Sequence, residues 1–141
     1  MALKVEFQDN TKNVLSELKK VQKQRVVMAS VYLDEVVKKT LTGSRKGRIY
    51  TKPGTKVKYR ASAPGEAPAR PTGQLARSVA WQLMPSSAFG GRGVISEVGT
   101  PLEKGKQLEF GTKTIEPRPW LWPSFVKARR RIKEIFATRW M

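Results

Sequence analysis

The sequence predicts an α+β domain: an antiparallel sheet of about four strands, covered by a long N-terminal helix and a C-terminal helix. Two long stretches at the ends of the chain carry helical apolar spacing. Three short stretches between 79 and 110 alternate apolar and polar residues and are joined by short turn-rich links, the pattern of an antiparallel meander. A fourth alternating stretch opens the chain. At 141 residues the chain has the size of one domain, 1–141, able to bury roughly 70% of its unfolded surface without a staple.

Leu3, Val5 and Phe7 alternate with Lys4, Glu6 and Gln8, which predicts a half-buried strand and does not resemble a signal peptide. Asp9, Asn10 and Thr11 are capping residues for the helix that follows. Its apolar stripe is Val14, Leu18, Val21, Met28, Tyr32 and Val36, widened by Leu15, Leu33, Val37 and Leu41, and Gly43 is its expected stop. Asp34 to Lys38 and Glu35 to Lys39 are spaced as i,i+4 ion pairs.

Between 44 and 73 the periodicity stops. Four prolines and four glycines interrupt this segment, and an insertion of that length in a compact domain is expected to be functional or disordered. Arg45, Lys46, Arg48, Lys52, Lys56, Lys58 and Arg60 gather in it with no acid before Glu66. Tyr50, Val57 and Tyr59 can form a short ribbon turning at Pro53-Gly54.

Thr72-Gly-Gln-Leu-Ala-Arg-Ser78 reads as a short capped helix. Val79, Trp81 and Leu83 give the second strand, 93–99 the third with Val94 and Val98 on one face, and 106–110 the fourth with Leu108 and Phe110 on one face. Gly90-Gly-Arg-Gly93 is a turn before it is a phosphate loop. Pro117, Pro119 and Pro123 then stiffen the backbone around Trp120 and Trp122, joining a sheet edge to the last helix. That helix, from about Ser124, places Phe125, Ile132, Ile135, Phe136 and Trp140 on one side and Lys127, Arg129, Arg130, Arg131 and Lys133 over the rest.

The chain has neither Cys nor His, which removes disulfides, thiolate and imidazole ligands, and the Cys–His and Ser–His nucleophile pairs. Carboxylates are scattered and no phosphate-binding G-x-x-x-x-G-K-[ST] occurs. The expectation is no enzyme, no cofactor and no metal site. No apolar run is long enough for a membrane span. A net charge of +17 attracts polyanions or acidic protein faces and opposes self-association. The basic segment is either a solvated loop or an arm for nucleic-acid phosphates or an acidic partner; with no base-reading element, any DNA contact would be to backbone alone. Trp120 and Trp122 are either core residues or anchors for a neighbouring subunit. Glu109 and Arg118 are spaced to pair across the turn between them.

Four blocks in order carry a resemblance: Ala61-Ser-Ala-Pro-Gly-Glu-Ala-Pro68, Thr72-Gly-Gln-Leu-Ala-Arg-Ser78, Leu108-Glu-Phe-Gly-Thr112 and Pro117-Arg-Pro-Trp-Leu-Trp-Pro123. Together they resemble the gene-product-ten-like neck and tail-completion proteins of long-tailed, siphovirus-type phages and prophages. Two departures stand out: Gly105-Lys106-Gln107 occupies the place of a common Tyr-Ala pair, and Trp120 follows Arg-Pro where Phe is common. The resemblance implies a structural virion protein of the head–tail junction, assembled in the host bacterial cytoplasm. It implies a homo-oligomeric ring, expected as a hexamer, around the DNA channel, touching a stopper, tail terminator or tail tube, with genomic DNA in its lumen. The subunit or partner interface is expected at Glu109, Phe110, Arg118, Trp120 and Trp122, with the basic segment reaching a partner or DNA. The alternative class is a non-sequence-specific DNA-binding protein, tested by salt dependence. A toxin-type nuclease is a third reading, disfavoured by the missing His and the scattered carboxylates.

Overall fold

In a computed structural model that describes residues 2–91 and 93–139, the elements run α1 (Thr11–Thr42), β1 (Ile49–Thr51), β2 (Lys58–Arg60), α2 (Gln74–Ser78), β3 (Ala80–Leu83), β4 (Ser96–Gly99), α3 (Glu103–Phe110) and α4 (Leu121–Ala137). The α+β class expected from the sequence is the class observed. Its strands form two separate antiparallel pairs, β1 with β2 and β3 with β4.

No Gly or Pro interrupts α1, and Asp9 accepts the Thr11 backbone N–H at its start. The Thr11 hydroxyl and then its N–H hold the Asp9 carboxyl below the usual carboxylate range. Arg25, Ala29, Val37 and Leu41 are buried on α1, and half-buried Leu33 completes a stripe in steps of four. That stripe lies beside the one formed by Val14, Leu18, Met28 and Tyr32, so Met28 faces solvent. Of the two expected i,i+4 pairs, Asp34 and Lys38 meet at 2.6 Å.

α4 lies antiparallel along the second half of α1. Ser124 and Ala128 are fully buried, and their small side chains let the helices approach closely. Ser124 Oγ donates to the Trp120 carbonyl at 2.5 Å and lies 2.9 Å from Thr40 Oγ1. At the other end Arg25 donates to the carbonyls of Phe136 (2.7 Å) and Thr138 (2.5 Å), satisfying the free carbonyls that end α4. Trp140, expected on this helix face, lies outside the described residues, as does Arg92 of the Gly90–Gly93 turn.

The core is Val37, Leu41, Ala76, Val79 and Trp120, with Leu33, Leu75, Val98, Leu108 and Leu121 packed against it. The β3–β4 pair is in register with Trp81 opposite Val98.

Three expectations need correction. The stretch 106–110 is the end of α3 and no strand. Five residues with apolar side chains two apart do not separate strand from helix, and Glu103, Lys104, Lys106, Gln107, Leu108 and Glu109 are good helix formers with an acid in the first turn. The Pro117–Pro123 stretch therefore runs from the link between two helices into α4, with Pro123 in the first turn of that helix. The alternating stretch 3–7 pairs with nothing: residues 2–10 have no regular structure, and Leu3 and Phe7 are 92% and 91% exposed. Finally, the segment 44–73, expected as functional or disordered, holds regular structure: over 49–60 the expected ribbon forms, with Tyr50 facing Tyr59 and the chain turning at Pro53-Gly54, where Gly54 supplies the positive φ of 73°.

Candidate assembly surfaces

The segment joining α3 to α4 is fixed by the groups around it. Gly111 ends α3 with φ of 75°, and a Cβ there would come 2.9 Å from both the Ile115 carbonyl and the Pro117 ring. Thr112 and Ile115 close a turn through the Thr112 N–H and the Ile115 carbonyl, and the Arg118 N–H returns to the Leu108 carbonyl at 2.6 Å. The chain thus comes back over α3 and lays Trp120 in the core.

Glu109 then does something its sequence position does not announce. Its carboxylate accepts the backbone N–H groups of Trp120 (2.7 Å), Leu121 (2.9 Å) and Trp122 (3.0 Å). These are the free donors that open α4, which has no side-chain cap of its own. A carboxylate there also complements the positive end of the helix dipole, as Arg25 complements the negative end. The expected pairing of Glu109 with Arg118 is absent: both Glu109 oxygens are taken by backbone, and Arg118 Nη1 is enclosed without a hydrogen-bond partner.

The five expected interface residues therefore divide. Trp120 is 2% exposed and its Nε1–H donates to the Gly105 carbonyl at 2.9 Å, so as an interface anchor it is corrected to a core residue. Glu109 is an intramolecular cap. Arg118 is half-buried beside the turn. Phe110 and Trp122 remain as surface aromatics, 76% and 65% exposed, with Trp122 packed on Phe125 at 5.6 Å between ring centres.

Phe110 and Trp122 sit on an open apolar groove of about 950 Å³. Val26 and Leu33 of α1, Val94 and Val98 beside and within β4, and Ile132 and Phe136 of α4 also line it. Phe125, Ile132 and Phe136, expected on one side of the last helix, lie together on this groove. Periodicity shows that a face is apolar, not which molecule covers it.

The basic segment has a built base and an exposed tip. Arg45 donates to the carbonyls of Thr40 (2.7 Å), Gly43 (2.9 Å), Ser44 (2.9 Å) and Pro68 (3.1 Å), which makes it a structural clamp at the base of the segment. Glu66 accepts the N–H groups of Ala63 (2.8 Å) and Lys46 (3.0 Å). Those two bonds, with the nearby Arg45 and Lys46 charges, hold its carboxyl below the usual range. Arg60 reaches the Gly47 carbonyl at 3.1 Å. Among the described residues, the side chains of Lys46, Arg48, Lys52, Lys56 and Lys58 form no ion pair.

Among the described residues no three carboxylates converge, and no helix is long and apolar enough to cross a membrane. No family model, no curated protein and no solved structure matches this chain.

Proposed function

We propose that this chain is a structural protein of the phage head–tail junction, a neck or tail-completion protein whose copies form a ring around the DNA channel and join tail to head. The observation that supports the reading best is the groove. A single copy leaves about 950 Å³ of apolar groove uncovered, with Phe110 and Trp122 on it, inside two of the four sequence blocks that resemble the neck proteins. Protein–protein contact is one of the uses an exposed apolar surface of this kind serves. The mechanism is mechanical. One face of each copy meets a different face of the next, and such head-to-tail contacts close into a ring when the rotation allows. The α1–α4 pair with its capped ends forms the stiff body. The hairpin 49–60 projects with its lysines toward the lumen DNA or an acidic face of a stopper, tail terminator or tail tube. Because the chain carries +17, ring closure must offset repulsion between copies, and it is expected to be favoured by salt. Electron-microscopy class averages of the purified chain, alone and with tail tubes, test the proposal: closed rings, of six copies by the resemblance, are expected. Lone copies under both conditions would contradict it.

The unpaired lysines of the hairpin favour one other reading, a non-sequence-specific DNA-binding protein. Duplex binding by the isolated chain, with affinity falling steeply as salt rises, would support it over the neck protein.

A further inference from the structure

The molecule carries two unsatisfied apolar features of matching form. One is the groove, beside β4, a strand whose pair is β3 and which has no second neighbour in the described sheet. The other is the stretch 3–7, in no helix or turn, where exposed Leu3, Val5 and Phe7 alternate with Lys4 and Glu6, which pair with each other at 2.7 Å. We propose that residues 3–7 of one copy add as a strand along β4 of the next copy, with Leu3, Val5 and Phe7 entering its apolar groove. The inference rests on the ring reading only in requiring that copies meet.

Chain length decides which copy is the occupant. α1 is helical from Thr11, and Val26 is the first groove residue along it. At 1.5 Å per residue, Val26 lies about 23 Å along the axis from Thr11. Folded back from Asn10, an extended arm reaches about 10 Å to Phe7 and about 23 Å to Leu3. Its own Phe7 and Val5 would therefore stop beside Leu18 and Val21, and only Leu3 would touch the near end of its own groove. A neighbouring copy is free of this limit. Charge points the same way. In a chain of +17 the arm holds Lys4 against Glu6 and Asp9, so it is the part that can approach another copy with least repulsion. The first turns of α1 travel with it, exposing Val14 (55%), Leu15 (52%) and Leu18 (38%) for the same neighbour. Strand addition of this kind takes its affinity from main-chain hydrogen bonds and its register from alternate side chains in pockets.

The absence of Cys makes the test clean. In the full chain, Val5→Cys with Val94→Cys introduces two thiols and no others, and mass spectrometry of the oxidised product identifies the expected 5–94 bond. Mild oxidation should give a ladder of disulfide-linked multimers on a non-reducing gel, with each single variant stopping at dimer. A disulfide closed within one copy would overturn the proposal. So would the absence of multimer ladders while electron microscopy still shows rings, and in that case the ring reading stands. A chain that stays monomeric in every condition, tail tubes included, overturns both. As a second variant, Leu3→Asp with Phe7→Asp touches nothing in the fold, so its melting temperature should match the parent. Its self-association should weaken by at least about tenfold; unchanged association would overturn the arm docking.

Discussion

The two halves of α1 are made of similar residues and meet different fates. From Arg25 to Leu41 the helix has a buried stripe, a buried arginine and a partner helix. From 11 to 20 every residue is exposed, although Val14, Leu15 and Leu18 are apolar. The difference is one of length. α1 has 32 residues and α4 has 17, so at 1.5 Å per residue they span about 48 Å and about 26 Å. α4 starts beside Thr40 and ends beneath Arg25, and among the described residues none covers the turns from 11 to 20. Among the described residues of one copy, the partner helix thus covers about half of α1.

The largest effect should come from the covered half. Trp120→Ala empties the centre of the core and removes the bond to Gly105, and should cost about 3–5 kcal/mol of unfolding free energy in denaturant titration. An effect below 1 kcal/mol would break the assignment of Trp120 to the core. Gly105→Ala should come next. Its Cβ would clash with Thr100 Cγ2 and press on the Trp120 ring at 3.2 Å, so about 1–3 kcal/mol should be lost although alanine is the better helix former. A stabilised variant would show that this contact is loose.

Glu109→Ala removes a cap from the three N–H groups that open α4 and should cost about 1–2 kcal/mol. On the uncovered half, Leu18→Ala should change monomer stability by less than about 0.5 kcal/mol. Trp122→Ala should behave like Leu18→Ala in the fold, yet weaken assembly by about tenfold. Loss of folding and assembly together would return Trp122 to the core.

The smallest effect is a matter of pH. The Glu66 carboxyl is depressed in the folded chain, so its bonds to Ala63 and Lys46 are present above the ordinary carboxylate pKa and lost as pH falls through the lowered folded value. The amide resonances of Ala63 and Lys46 should move together in that acid window, and Glu66→Gln should abolish the shared titration.

Much of the fold was legible because helices announce themselves. The uninterrupted run to Gly43, the basic amphipathic C-terminal helix, the Tyr50–Tyr59 ribbon and the antiparallel link between 79 and 99 all follow from local pattern. Two things were not legible. Leu108 and Phe110, two apart, fit the end of a helix as well as a strand, and only the return of the chain to Glu109 decides for the helix. Leu3, Val5 and Phe7 were read as half-buried within the chain, where the structure leaves them bare. Of the candidate interface, Phe110, Trp122, Glu109 and Trp120 all line the groove, but only Phe110 and Trp122 are exposed: the Glu109 carboxylate is held by backbone N–H groups and Trp120 is buried, because a block of motif residues does not reveal which side chains the backbone turns inward.

The account depends on the uncovered half of α1 and the arm before it being covered by another copy. Hydrogen exchange of the amides in 3–20, measured on dilute and concentrated protein at high salt, tests this directly. Protection of 3–7 and 12–20 should rise with concentration while the amides of 29–41 stay protected throughout. Protection of 3–7 that is already complete in the dilute sample, or absent in both, would contradict it.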